Sequence, residues 1–367
     1  MKFRAAVLHR AGEPLQVEEV ELRELRPGDV LVRVGAAGIC HTDIELAGGA
    51  LPRPLPIVPG HEAAGTVEAV GPGVTRLAPG QRVVCSWNPS CGHCFFCEEG
   101  QPILCEPIAR NQPKGLLPDG VPRLFLRGEP LSQFMNVSAH AEYCVVPEAG
   151  AVPIPHGIPF DLACLIGCGV ATGFGAVTRA ASVTQGSNVL VVGCGAIGLN
   201  VIQAARMRSP ARVIAVERDP QRLVQARLFG ATDLVPAGDV AVSVVRELTQ
   251  GRGADFAFEA AGREAAMRFT LEATRPGGQV LLLGKVPAND DVRFRWGSLA
   301  GEKRLLRSSY GGARPHRDFA LLAQAWLGGT LKLEELVTER LPLASVNAGF
   351  DAVREGRSIR SVITFAD

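Results

Sequence analysis

Five cysteines fall within the stretch CSWNPSCGHCFFCEEGQPILC, residues 85–105. Four of them, Cys91, Cys94, Cys97 and Cys105, are spaced C-x2-C-x2-C-x7-C. Thiolates at that spacing on a turn-rich loop can close a tetrahedral zinc site with no open position. Iron–sulfur clusters also use closely spaced cysteines, and loop cysteines can be adventitious. Zinc is favoured, because nothing else in the chain suggests electron transfer and Cys85 lies outside the spacing as a strand cysteine. A second pattern, Gly193-x-Gly195-x-x-Gly198, follows the apolar run NVLVV and opens a helix-compatible stretch. Glycines so placed allow a tight turn, close backbone approach to a pyrophosphate, and helix–sheet packing, with free N–H groups at the helix start. Alone it is as readily an ordinary structural turn. Glu217, 24 residues after Gly193 at the end of the next strand, changes that. A carboxylate there accepts hydrogen bonds from an adenosine ribose and repels a 2′-phosphate, so NAD is the expected cofactor. Arg218 beside it is the complication, since an arginine can accommodate that phosphate.

A third set is dispersed: Cys40 in GICHTD, His61 in GHE and Cys168 in GCGVATG. One imidazole and two thiolates leave a zinc one position for water or substrate, which catalysis requires. Taken singly, each reads equally well as a small buried hydrophobe or a hydrogen-bonded histidine. Spacing alone does not join them.

Two textures of sequence must position these groups. Up to about residue 160 the chain consists of short β-prone runs such as DVLVRVGAAGI, GTVEAVG and AEYCVVPE, cut by Gly and Pro. FDLACLIGCGVATGFGAVTRAA then reads as helical. From NVLVVGCGAIGLNVIQAARM onward, strands and helices alternate, which implies a parallel sheet with crossover helices. After about residue 309 the texture is mixed and ends on the strand-like SIRSVITF.

Composition bounds the class. Charged residues are 20% of the 367, with 38 basic against 37 acidic and no long block of either sign, which argues against a nucleic-acid surface or a polybasic membrane patch. No run approaches eighteen apolar residues, and MKFRAAVLHR lacks the apolar core of a signal peptide. A cytoplasmic location is therefore expected, and there ten cysteines read as ligands or buried residues rather than disulfides.

Along essentially its whole length the chain resembles the zinc-dependent medium-chain alcohol dehydrogenases. GICHTD, PGHEAAGTVEAVGPGV, the four-cysteine loop, GCGVATGFGAV, VVGCGAIGL and SIRSVITF carry the resemblance. It implies an α/β fold, with a GroES-like β-rich catalytic domain over residues 1–165, completed by 309–367. Residues 166–308 would form a Rossmann domain with a doubly wound parallel sheet. It implies two zinc ions per subunit: a catalytic one held by Cys40, His61 and Cys168, and a structural one held by Cys91, Cys94, Cys97 and Cys105. Glu62 matches a near-zinc glutamate, Asp43 a carboxylate that orients the histidine, and Thr42 the hydroxyl that carries the substrate proton away. Cofactor contacts would come from His41, Thr172, Gly193, Gly195, Ala196, Ile197, Gly198, Glu217, Arg218, Arg222 and Arg360. Trp87, Phe134, Met135 and Lys285 match pocket positions, although the two aromatics also suit a plain core and Lys285 an exposed charge.

The segment from Gly115 to Val145 matches a longer-loop branch whose members are commonly dimers, so a homodimer is expected. Two positions depart from familiar patterns. Glu45 stands where some relatives continue the proton path with histidine. Ala109 stands where the glutathione-dependent formaldehyde-oxidising branch has arginine, with Arg110 following. The implied function is interconversion of a primary alcohol, medium-sized and apolar or aromatic, with its aldehyde. The alternatives are oxidation of S-hydroxymethylglutathione and, outside enzymes, a zinc- and dinucleotide-binding sensor or structural protein.

Overall fold

A computed structural model of the chain describes residues 1–287 and 289–365. The chain divides into two compact units, Met1–Cys168 with Arg314–Asp367, and Gly169–Ala313.

Two sheets build the first unit. The larger runs in the order Ala151–Pro153, Arg82–Cys85, Glu62–Val70, Asp29–Ile39, Arg360–Thr364, Val337–Pro342, with Tyr143–Pro147 also paired to Asp29–Ile39. The smaller runs Lys2–Val7, Gln16–Leu22, Leu124–Leu126, Glu129–Gln133, Ile57–Val58. Asp29–Ile39 is the central ribbon, and it is buried along nearly its whole length. That explains why DVLVRVGAAGI is apolar on both faces instead of alternating. Its antiparallel registers decide where chemistry can occur. Gly38 pairs with Glu62, and Ile39 pairs with Ser361. One residue further along, Cys40 therefore stands beside the 60–61 turn on one flank and Arg360 on the other.

The helix His41–Ala47 starts at once from Cys40, closed by a capping box in which Asp43 at the third position reaches back to the Cys40 N–H. Ile44 and Leu46 anchor it in a core cluster with Ile39, Phe134, Phe350 and Ile363. Burying a side chain of that size contributes roughly 1.5–3 kcal/mol. Thr42 and Asp43 are thus carried on a short but firmly packed element.

The second unit is a six-stranded, all-parallel sheet. Its order is Asp233–Pro236, Arg212–Glu217, Asn188–Val192, Ala254–Glu259, Thr274–Leu282, Arg304–Arg307. This is the doubly wound arrangement, with the strand order reversing on either side of Asn188–Val192. Residues up to Ala313 stay with this unit for a local reason. Gly311 packs so closely on the helix Gly169–Gly175 that a Cβ there would stand 2.1 Å from Thr172 O. The helical stretch expected after residue 160 is broken into a helix at Phe160–Ala163, a 3-10 turn at Cys164–Gly167, a helix at Gly169–Gly175 and a π turn at Ala176–Ala180. The break falls at Cys168, whose φ of −140° and ψ of −84° lie outside helical geometry. Among the described residues no single helix is long and apolar enough to cross a membrane.

Candidate active site

The strand registers gather four donors. The ligating atoms of Cys40, His61, Glu62 and Cys168 all lie within 4.8 Å of one another, and all but half-buried Cys168 are buried. His61 Nε2 and Glu62 Oε2 are buried without a hydrogen-bond partner. Such orphaned atoms are costly unless something electropositive meets them, and a zinc ion is what two thiols, an imidazole and a carboxylate suit. Cys168 arrives separately, directly after the 3-10 turn Cys164–Gly167, which packs so closely on Arg82–Cys85 that a Cβ at Gly167 would stand 2.7 Å from Cys85 O.

Asp43 ties the cluster together from behind. It is fully buried; Oδ2 accepts the Cys40 N–H at 2.9 Å, while Oδ1 accepts the Gly60 N–H at 3.0 Å and faces His61 Nδ1 at 3.4 Å. With Nδ1 given to Asp43, Nε2 is the nitrogen left for a metal. Burial alone would push Asp43 up, but the charge and ring N–H of His61 outweigh it and hold the carboxyl below its ordinary range. Burial likewise opposes charge on His61, yet Asp43 raises it to about 10. Zinc needs the neutral ring, so binding displaces that proton. Of the two thiols, Cys40 ionises first. It receives a hydrogen bond from Cys168 and lies near the Arg360 guanidinium and His61.

Arg360 is buried here rather than reaching outward. Its Nη2 lies 3.3 Å from Glu62 Oε1 and 3.9 Å from Cys40 Sγ, and Nη1 donates to Ile359 O at 3.0 Å. Burial pushes Glu62 up to about 7 against that guanidinium. Glu62 thus faces both ways, with Oε1 toward the Arg360 guanidinium and a carboxylate oxygen within reach of the cluster. The Thr42 hydroxyl is buried and 3.9 Å from Cys40 Sγ. His41 beside it is exposed, and Glu45 is half-buried one turn on.

Of the expected pocket residues, Phe134 is fully buried and meets His61 edge-on, with ring centroids 5.8 Å apart. Met135 packs on the same core at a φ of +48°. Trp87 is half-buried on a neighbouring cluster, its carbonyl held by Asn136 Nδ2 at 3.1 Å and Gln112 Nε2 at 3.3 Å. Lys285, in the second unit, is exposed.

The four-cysteine loop also closes. The sulfurs of Cys91, Cys94, Cys97 and Cys105 lie within 4.8 Å of one another, with Cys91 and Cys97 4.0 Å apart. A disulfide needs about 2.05 Å, whereas thiolates around one tetrahedral zinc stand roughly 3.8 Å apart. Backbone N–H groups prepare the site: Glu106 donates to Cys94 Sγ at 3.5 Å and Cys91 to Cys105 Sγ at 3.3 Å. The first of these draws Cys94 down to about 6, while burial pushes Cys105 up to about 12. Structural zinc contributes folding free energy directly. The Cys94→Ser variant is expected to lose one of two zinc ions and to melt about 5 °C or more below the parent. Metal analysis and calorimetry check this; one zinc per subunit in the active parent would overturn the assignment.

In the second unit the glycine turn has the geometry a pyrophosphate needs. Gly193 has a φ of +93°, and a Cβ on Gly198 would stand 1.9 Å from Gly193 O, so neither tolerates a side chain. A Cβ on Gly195 would meet nothing within 4 Å, which marks the open side. Gly195 starts the helix Ala196–Arg206 with no side-chain cap, so the first-turn N–H groups of Ala196, Ile197 and Gly198 face outward for an anion. Thr172, on Gly169–Gly175, is buried. Glu217 is pinned at its strand end: Oε2 accepts the Cys194 N–H at 2.8 Å and Oε1 the Arg218 N–H at 2.7 Å. Arg218 is exposed, and Arg222 leans on Asp219 at 3.9 Å. A fixed carboxylate at this corner meets a 2′-phosphate with like charge, which costs several kcal/mol when desolvated. The kcat/KM with NAD is expected to exceed that with NADP by about 100-fold or more. Glu217→Gln should shrink the ratio, and equal efficiencies in the parent would show that Arg218 prevails.

A closed thiolate zinc site, a second zinc cluster and a doubly wound dinucleotide fold together define a zinc-dependent, NAD-linked oxidoreductase. Residues 26–156 match the alcohol dehydrogenase GroES-like domain and residues 196–326 the zinc-binding dehydrogenase domain. The chain belongs to the zinc-dependent medium-chain alcohol dehydrogenase family. It is 38% identical over 376 residues to an S-(hydroxymethyl)glutathione dehydrogenase of Paracoccus denitrificans, covering 100% of both chains. It is 38% identical to the class-3 alcohol dehydrogenase of Myxine glutinosa, covering 98% of this chain and 97% of that one. Among solved structures, a benzyl alcohol dehydrogenase from Acinetobacter calcoaceticus superposes with a TM-score of 0.94 at 29% identity, covering 100% of each chain. An alcohol dehydrogenase zinc-binding domain protein from Burkholderia ambifaria gives 0.95 at 34%, again over 100% of each.

Proposed function

We propose that the enzyme oxidises the hydroxymethyl group of S-(hydroxymethyl)glutathione with NAD. The observation that carries this reading is full-length similarity to proteins named for that activity. It displaces the aromatic or apolar primary alcohols expected from the sequence to second place. Two observations keep that second reading: the match to a benzyl alcohol dehydrogenase, and Ala109 where the glutathione-oxidising branch has arginine.

Bound zinc supplies Lewis acidity to a hydroxyl oxygen, and bound NAD accepts the hydride. Cys40, His61 and Cys168 are the residues proposed to hold the metal, with Glu62 the near neighbour that also faces Arg360. The Thr42 hydroxyl takes up the substrate's proton as it gives up its own toward solvent, with His41 and Thr172 against the cofactor. Arg222 is proposed to support the ribose, and Trp87, Phe134 and Met135 to bound the substrate space, while Arg360 stays with Glu62 and Cys40. The domains are proposed to act as a catalytic unit and a cofactor unit, the enzyme as a cytoplasmic homodimer.

Comparing kcat/KM for formaldehyde premixed with glutathione against benzyl alcohol decides between the substrates. The adduct is expected to win by about tenfold or more. A clear win for benzyl alcohol would install the second reading.

A further inference from the structure

One buried carboxyl belongs neither to a zinc cluster nor to the ribose corner. Glu259 ends the strand Ala254–Glu259, in register with Val192 at the point where the strand order reverses. It is 0% exposed. Its Oε1 accepts the N–H groups of Ala261 at 2.9 Å and Gly262 at 2.7 Å. Its backbone carbonyl accepts those of Leu283 at 2.8 Å and Gly284 at 3.0 Å. One residue thus fastens two successive turns at the carboxyl edge of the sheet. The first presses on the phosphate turn, and the second presses on the first. A Cβ at Gly193 would stand 2.8 Å from Ala261 N, and a Cβ at Gly284 would stand 2.5 Å from Glu259 Oε2 and 2.2 Å from Gly262 N. Not even a methyl group fits between them.

Keeping an ionisable group in such a place is costly. Burial pushes the Glu259 carboxyl above its ordinary range, and the N–H groups of Ala261, Gly262, Arg263 and Gly284 pull against it. A dinucleotide lies across the switch point of this fold with one half on each side. Glu217, on Arg212–Glu217, serves the adenosine side; the turns that Glu259 fastens lie on the other side, after Ala254–Glu259 and Thr274–Leu282.

We propose that Glu259 is a positioning residue for the nicotinamide half of the cofactor, setting the spacing of the Ala260–Gly262 turn against Gly193 and of the Gly284 turn against Gly262. Glu259→Ala leaves two buried N–H groups without an acceptor, and the turns then move. Glu259→Gln keeps a carbonyl oxygen where Oε1 accepts. Gly284→Ala drives a methyl into the same contact while leaving the carboxyl in place.

The test uses the zinc-loaded full chain, with NADH binding followed by fluorescence and AMP binding by calorimetry. Glu259→Ala is expected to raise the Kd for NADH about tenfold or more while that for AMP stays within about twofold. Glu259→Gln should restore NADH binding to within about threefold, and the KM for NAD should follow the NADH Kd. Equal weakening of NADH and AMP, unchanged NADH binding in a folded Glu259→Ala, or no rescue by glutamine would overturn the proposal. If Glu259→Ala does not fold, Gly284→Ala carries the same expectation, and equal weakening of NADH and AMP or unchanged NADH binding in that variant would overturn the proposal.

Discussion

Cys168→Ser is expected to lower kcat by roughly a thousandfold or more while the protein stays folded, the scale of removing a principal electrostatic stabiliser from a catalytic site. The change replaces one sulfur by oxygen. A serine hydroxyl does not ionise at neutral pH and is a poor partner for a borderline-soft metal, so a four-donor cluster drops to one thiol, one imidazole and a carboxylate held by Arg360. Zinc content should fall from two ions to one per subunit, the ion in the four-cysteine loop remaining. Cys164→Ser is the matched control. Its thiol is also buried, but it donates to Asp161 O at 3.4 Å, a role that a serine hydroxyl fills. Full activity or two zinc ions in Cys168→Ser would remove Cys168 from the site.

That cluster shows where sequence reading stops. The four-cysteine loop and the glycine turn are local: their donors lie within fifteen residues of chain, so spacing itself expresses the geometry. Cys40, His61 and Cys168 are joined only by the antiparallel registers of Asp29–Ile39 and by the packing of the Cys164–Gly167 turn. Without the family resemblance nothing in their spacing predicts a shared centre. Even with it, the burial of Arg360 against Glu62 and Cys40 becomes visible only once Ser361 is paired with Ile39. The segment after residue 160 was legible as helical but not as broken: Gly167 and Gly169 flank the break at Cys168, but glycines recur throughout GCGVATGFGAV, and only the close packing of Gly167 on Cys85 shows where the helix stops. Glu259 was invisible for the same kind of reason. In DFAFEAAG it reads as one charge at a strand end, and only the two turns it fastens make it a peg.

Asp43→Asn should lower zinc affinity at the catalytic cluster and kcat/KM together by roughly 10–100-fold, the usual consequence of disturbing a partner behind a metal ligand. The side chain keeps its shape, so the volume it fills is unchanged. What changes is the pattern of donors and acceptors. Asp43 receives three N–H groups, from Cys40, Gly60 and His61. Asparagine offers one oxygen and one NH2, so whichever way it turns, one of its ends meets a donor with a donor. If the NH2 faces Cys40, the capping box opens and the helix carrying Thr42 loosens. If it faces Gly60 and His61, the ring loses the acceptor that holds Nδ1–H, and Nε2 is no longer aimed at the cluster. Either orientation leaves a buried donor unpaired, at about 1–3 kcal/mol, so the melting temperature should fall as well. Because Asp43 acts through His61 and Cys40 and touches no reacting atom, excess zinc should recover much of the activity of Asp43→Asn but none of that of Cys168→Ser. Chelator-release kinetics and activity titrated against added zinc measure both. Wild-type zinc retention with wild-type kcat/KM would show that the carboxylate only caps the helix.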